Sequence, residues 1–148
     1  MVAKSNSSKT SIIPSLRFAD AQAGIEWLCM AFGFEKQLVV PGEQEGDIAH
    51  AQLTLGGAMI MLGSSSSHGG SAFSERVRPA GELAGRTNQS IYVVVENPDG
   101  HYVRATAAGA EVLMDIEDQD YGGRGYTCLD LEGNVWSFGS YDPWNSDA

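Results

Sequence analysis

Cysteine is scarce in this 148-residue chain: Cys29 and Cys128 are the only two, and neither has the C-x-x-C spacing of metal-binding or redox cysteines. One falls in an apolar helical pattern and the other in an apolar strand pattern, so both are expected as free, buried thiols. Basic residues are also few. Nine Lys and Arg, scattered along the chain, stand against nineteen Asp and Glu, for a formal net charge of −10. Phosphate contacts need clustered cations, so nucleic acid is excluded as a partner. The acidity suits a cationic ligand and equally suits a merely soluble surface. Long apolar runs are missing as well. None approaches the roughly eighteen residues of a membrane span, and the opening MVAKSNSSKT has no apolar centre like that of a secretory signal. The expectation is a cytoplasmic protein with a disordered tail over residues 1–10 and no membrane partner. The three histidines, His50, His68 and His101, show no paired ligand spacing.

What the chain does have is an internal repeat. The stretch AHAQLTLGGAMIMLG, residues 49–63, returns seventy-six residues later as GYTCLDLEGNVWSFG, residues 125–139. At that offset Leu53 falls on Leu129, Leu55 on Leu131, Gly57 on Gly133 and Gly63 on Gly139, while upstream Gly33 meets Gly109 and Glu35 meets Glu111. Each copy parses alone as β-α-β-β-β. In the first, SIIPSLRFAD is strand-like, and Asp20 caps a helix with Ile25, Leu28, Cys29 and Phe32 on one stripe, stopped at Gly33. EKQLVV then makes a strand, and DIAHAQLTL and AMIML form a hairpin across Gly56-Gly57. In the second, SIYVVVE is a strand, and Asn97-Pro98 starts a helix with Tyr102, Ala105 and Thr106 inward and Gly109 at its end. Strands in AEVLMDI, GYTCLDL and VWSFGSY follow.

Residues 11–63 therefore form a first module and residues 90–141 a second, with a short tail over 142–148. Between them, residues 64–89 are rich in Ser and Gly and too long for an ordinary connection, which suits either a lid or a flexible linker and is expected to be less ordered than the modules.

A duplicated β-α-β-β-β module carrying FGF after the first helix, AGAEV after the second, DQDYGGR and a closing D-L-E-G-N-V-W-S-F resembles the glyoxalase/bleomycin-resistance/dioxygenase (vicinal oxygen chelate) superfamily over about residues 11–141. One departure is Leu131, where the closing motif usually has proline. The resemblance implies an α+β fold of two half-barrels around a cavity, a small-molecule ligand and a homodimer. Metal-using relatives place four His or Glu ligands, one near the start of the first strand and one in the last strand of each module, so that a divalent ion can hold two substrate oxygens. Carried onto this chain, those positions are Ile13, Met61, Ser90 (Gln89 if the register slips by one) and Ser137. Such side chains cannot form a His/Glu site, so the resemblance points to a cavity without metal or other cofactor. Strand register is the weak link, because a one-residue slip changes the face.

Other candidate ligand contacts are His50, its repeat partner Tyr126, Arg124 after YGG, and Tyr121 in the acidic DIEDQDY stretch. His50 reads first as a satisfied strand histidine and only second as a cavity residue. Arg124 can fix a carboxylate or carbonyl at a pocket rim, or salt-bridge to the neighbouring acids. The acids with Tyr121 form either a rim for a flat cation or a solvated turn. If Ser137 faces the cavity, Trp136 faces the helices as core, and Trp27 is core too. No nucleophile with its base is discernible. Three functions are compatible: a metal-free binding protein that sequesters an antibiotic or toxic compound, a metal-dependent lyase, isomerase or dioxygenase with displaced ligands, and a metal-free enzyme using His50, Tyr126 or Arg124.

Overall fold

The computed structural model describes residues 9–67 and 70–145, so His68 and most of the N-terminal tail lie outside the described residues. The first module comprises β1 (Ser15–Phe18), α1 (Ala21–Phe32), β2 (Glu35–Pro41), β3 (Ile48–Leu55) and β4 (Ala58–Ser64). The second comprises β5 (Ile91–Val94), α3 (Pro98–Ala107), β6 (Glu111–Asp118), β7 (Arg124–Leu129) and β8 (Val135–Gly139). Between them come α2 (Ala72–Arg76) and a 3-10 turn at Ala80–Glu82. Each module is a four-stranded sheet, ordered β1-β4-β3-β2 in the first and β5-β8-β7-β6 in the second, with its first strand parallel to its last. No strand of one sheet pairs with a strand of the other.

The helix boundaries follow from the capping chemistry in the sequence. Asp20 accepts a hydrogen bond from the Ala23 amide and Asn97 one from the Gly100 amide, each serving a free N–H of a first turn. Gly33 ends α1 in the left-handed region, φ 90°, where a Cβ would be strained. Ile25, Leu28 and Phe32 on α1 and Ala105 on α3 are buried as expected, while Cys29, Tyr102 and Thr106 of the same stripes are only partly buried.

The two modules share one core. Phe32, at the end of α1, reaches across to Trp136 and Phe138 of β8, with ring centroids 5.3 and 4.7 Å away. Burying a ring of this size contributes roughly 1.5–3 kcal/mol. Polar groups stitch the same seam. Four C-terminal carbonyls of any helix lack partners within it, and α1 has no basic residue in its last turn. Helix α3 supplies the donors: Arg104 Nε to Met30 O (2.9 Å), Arg104 Nη2 to Cys29 O (3.1 Å) and His101 Nε2 to Phe32 O (2.9 Å). In return Trp27 Nε1 donates to Ala108 O at the end of α3. Glu132, in the β7–β8 turn, accepts from the Ala19 and Asp20 amides at the start of α1, both at 2.8 Å.

That turn is itself held from within. The Asp130 carboxylate, only 6% exposed, accepts from the amides of Glu132, Gly133 and Asn134 and from the Trp136 indole N–H at 3.0 Å. The D-x-E-G-N-x-W phrase is thus a carboxylate gathering the donors of a tight turn and one core indole. Trp136 and Trp27 are core, as read from the alternation.

The repeat offset is not constant. In β8 it is seventy-six, with Met61 matching Ser137, but Ser15 matches Tyr92, seventy-seven apart, by their pairing with those two residues. In β7 it is seventy-five: Leu53 pairs with Ile60 across the first hairpin, and Cys128 pairs with Trp136 across the second, whose turn is one residue longer. The structural counterpart of His50 is therefore Gly125, not Tyr126.

Candidate functional site

With helices on one face, the other face of each sheet is open. In the second sheet the open-face residues form a row, Tyr92–Ser137–Thr127–Met114, fixed by the strand register. The row floors a cleft of about 240 Å³ walled by Tyr121, Arg124, Gln119 and Tyr141. Thr127 Oγ1 and Ser137 Oγ share a 2.7 Å hydrogen bond at its base. Tyr92 extends over Gly139 and donates to Tyr141 O at 2.6 Å, tying down the chain after β8. A Cβ at position 139 would come within 2.7 Å of that hydroxyl, so any larger residue there would have to displace the Tyr92 ring. Burial, chiefly, raises the Tyr92 phenol pKa, so it is a neutral donor. Tyr121 stands edge-on to Tyr141, centroids 5.0 Å apart, and is 60% exposed at the mouth.

Arg124 lies beside the cleft with its guanidinium already engaged: Nε is 3.0 Å from Asp99 Oδ1 and Nη1 is 3.3 Å from Asp118 Oδ1. Of the two alternatives read for this residue, the salt bridge is the one formed, to Asp99 as well as to the neighbouring Asp118. The acids of the DIEDQDY stretch do not form one rim. Asp115 accepts the Tyr102 hydroxyl at 2.7 Å, which lowers its pKa, and Glu117 and Asp118 belong to β6.

Tyr126 is a correction. It sits on β7 beside the cleft, but its side chain is 3% exposed and turned into the helix layer, because the longer hairpin shifts β7 by one residue relative to the repeat. There its hydroxyl lies 2.6 Å from His101 Nδ1. Phe32 O can only accept, so His101 carries its proton on Nε2 and Nδ1 accepts from Tyr126. Burial lowers the His101 pKa, outweighing the Phe32 bond that raises it, and burial pushes the Tyr126 pKa far up. The pair is a neutral structural link, unsuited to acid–base work on a ligand.

The first sheet's open face carries His50 and Met61, apart from the tyrosine cleft. His50 Nε2 is 2.9 Å from Gln52 Oε1, and Gln52 in turn donates to Gln37. Ile13 and Ser90 fall just before β1 and β5. The residues level with Met61 and Ser137 are Ser15 and Tyr92, two positions later on the same faces. Of the residues singled out in the sequence, the structure brings Tyr121, Arg124 and Ser137 together and leaves Ile13, His50, Met61 and Ser90 elsewhere. Tyr92, Thr127, Met114 and Tyr141 were not anticipated; the β-alternation on either side of Ser137 was the available signal for Tyr92 and Thr127.

Two hydroxyls, a phenol and a thioether in the rows where a divalent ion would need His or Glu do not fit a metal. Among the described residues, no group of three or more His, Cys, Asp or Glu is placed to hold one. Among the same residues, no helix is long and apolar enough to cross a membrane.

Comparison with known proteins follows the architecture. An uncharacterized protein of Mycobacterium bovis (strain ATCC BAA-935 / AF2122/97) is 31% identical over 131 residues, covering 87% of this chain and 82% of its own. TioX from Micromonospora sp. ML1 superposes with a TM-score of 0.69 at 28% identity, over 88% of this chain and 97% of that one. The fosfomycin resistance protein FosX from Listeria monocytogenes, in complex with Mn(II) and 1S,2S-dihydroxypropylphosphonic acid, shares the fold alone: TM-score 0.61 at 14% identity, over 92% and 93% of the two chains. The family model described as Glyoxalase/Bleomycin resistance protein/Dioxygenase superfamily matches residues 13–138, nearly the whole of both modules, and the chain belongs to that superfamily.

Proposed function

We propose that this protein binds a flat, cationic or neutral aromatic small molecule without an inner-sphere metal, in the cytoplasm, and by sequestering it protects against an antibiotic or toxic metabolite. The carrying observation is the replacement of metal-ligand chemistry by three tyrosines above a hydroxyl floor in the second sheet's cleft. Tyrosine faces attract flat and cationic groups, and the chain's net charge of −10 favours the approach of cations. The resistance role of FosX is a property of a relative that shares the fold, and it motivates the choice of antibiotics as probes.

The proposed working unit is a homodimer in which the open face of one chain's first sheet closes over the cleft of its partner's second sheet. Support comes from the apolar residues left uncovered on the strands farthest from β1 and β5: Leu38, Val39 and Val40 on β2, Leu113 and Met114 on β6. A thermal-shift panel of cationic antibiotics and divalent metals tests both parts, since a ligand bound only to the native state raises its melting temperature. At least one aromatic cation should stabilise the dialysed protein, and Ser137→Trp, which fills the floor, should abolish that response. Binding of one metal per chain, lost on replacing His50 with Ala, would overturn the proposal in favour of a displaced metal centre.

A further inference from the structure

The first sheet holds a charge with no counter-charge. Phe18 is fully buried against α1, so Arg17, its neighbour on β1, points to the opposite, open face, level with Gly63 of β4. Yet Arg17 is only 7% exposed, because Ser67 and Phe73 lie against it. Its Nη2 donates to Ser67 O at 2.7 Å, and the Phe73 ring of α2 lies over the guanidinium, 5.4 Å from carbon to centroid. Its Nε is buried and has no hydrogen-bond partner, the only such side-chain atom among the described residues. The ion pairs among those residues engage Lys36, Arg78 and Arg124 and leave Arg17 out.

A guanidinium keeps its charge at any ordinary pH, and burying it without an anion is costly. Burial first, and the nearby Arg78 second, lower the Arg17 pKa, as expected for a cation that lacks its counter-ion. The unpaired Nε and the adjacent Nη2 form the side of the fork that grips two coplanar oxygens. Ser67 and Phe73 both lie against the guanidinium, so a protein's acidic surface would be shut out. We propose that Arg17 is the anchor of a second binding site, on the first sheet, for the carboxylate of a small molecule, with Phe73 as its cover. This site does not depend on the tyrosine cleft, which lies on the other sheet.

The test reads Arg17 directly. In 15N-labelled protein, the Arg17 Nε–H resonance is identified by its loss in Arg17→Lys. Sodium benzoate is then titrated against sodium chloride at equal ionic strength, with inorganic phosphate as a third arm. Benzoate should move that resonance saturably, with half-saturation near 10 mM, and at 50 mM should raise the melting temperature by about 2–4 °C. Chloride should do neither, and phosphate should be weaker because a doubly charged anion costs more to desolvate at a covered site. Should Arg17→Lys fail to fold, Phe73→Ala supplies the assignment: uncovering the guanidinium speeds exchange of its Nε–H with water, and without its cover the site should hold benzoate several-fold more weakly. An Arg17 resonance unmoved at 50 mM benzoate would overturn the proposal. So would benzoate stabilisation that survives in Arg17→Lys, or a phosphate response as strong as that to benzoate. Benzoate stabilisation that survives in Arg17→Lys would point to the tyrosine cleft instead, whereas the Arg17 resonance reads the first-sheet site alone, so the two sites fail separately.

Discussion

Replacing His101 with Phe tests the seam between the modules. The imidazole lies nearly parallel to the Phe138 ring, centroids 4.0 Å apart and planes 29° apart, so phenylalanine keeps the volume and the stacking. What it removes is two hydrogen bonds, the one Tyr126 makes to Nδ1 and the one Nε2 makes to Phe32 O. Each bond contributes about 1 kcal/mol net, and leaving the buried Tyr126 hydroxyl with only its long bond to the residue 101 carbonyl, and the Phe32 carbonyl without this donor, adds to the loss, for about 3 kcal/mol in all. For a chain of this length that lowers the melting temperature by about 6–12 °C at pH 8.

The pH dependence adds a sign. The folded state holds the His101 pKa below its ordinary value, so the unfolded chain takes up a proton that the native ring refuses. Stability from this group is complete above about pH 6.5 and is lost as the pH falls through that value toward the folded pKa, by at most about 1.4 kcal/mol per pH unit. His101→Phe lacks the effect, so the gap between wild type and variant should narrow from pH 7.5 to pH 5.5 in urea titrations. A gap that stays constant or widens on acidification, or a cost under about 1 kcal/mol at pH 8, would refute the neutral-link assignment.

Two further outcomes follow from burial and from the turn. Burial pushes the Cys128 thiol up to about 12, so at pH 8 on the order of one molecule in ten thousand carries the thiolate; an Ellman assay should label Cys128 only after unfolding, and rapid stoichiometric labelling of the native protein would contradict its placement. Asp130→Ala strips the acceptor from three backbone amides and the Trp136 indole and should cost about 3–5 kcal/mol in urea unfolding, whereas a loss below 1 kcal/mol would mean the turn is held by something else.

The sequence made the architecture readable because local rules and the repeat agreed. Asp20 and Asn97 mark helix starts by side-chain chemistry, Gly33 marks an end by its positive φ, and the alternation around Trp136 separates core from cleft. The site was less readable for a geometric reason. A single extra residue in the second hairpin reverses which β7 residues face the helices, and a repeat read at constant offset cannot register that slip. Hence Tyr126 was expected at the ligand and lies in the core, while Thr127 was passed over. Ser15 and Tyr92 were not singled out for a related reason, since the parallel pairing that levels them with Met61 and Ser137 is a long-range contact. Arg17 carries no local signal at all: its interest comes from a covering segment fifty and more residues away.

The reciprocal capping of α1 and α3 bears on how the molecule folds. Although the chain is written as two copies, each copy's helix takes part of its capping from the other. The last carbonyls of α1 find their donors on α3, the end of α3 finds its donor on Trp27, and the first amides before α1 find a carboxylate in the second copy's hairpin. Phe32, meanwhile, is buried against rings of the other half. A severed half would present bare helix ends and an exposed aromatic face, so the duplicated halves form and melt as a single cooperative unit.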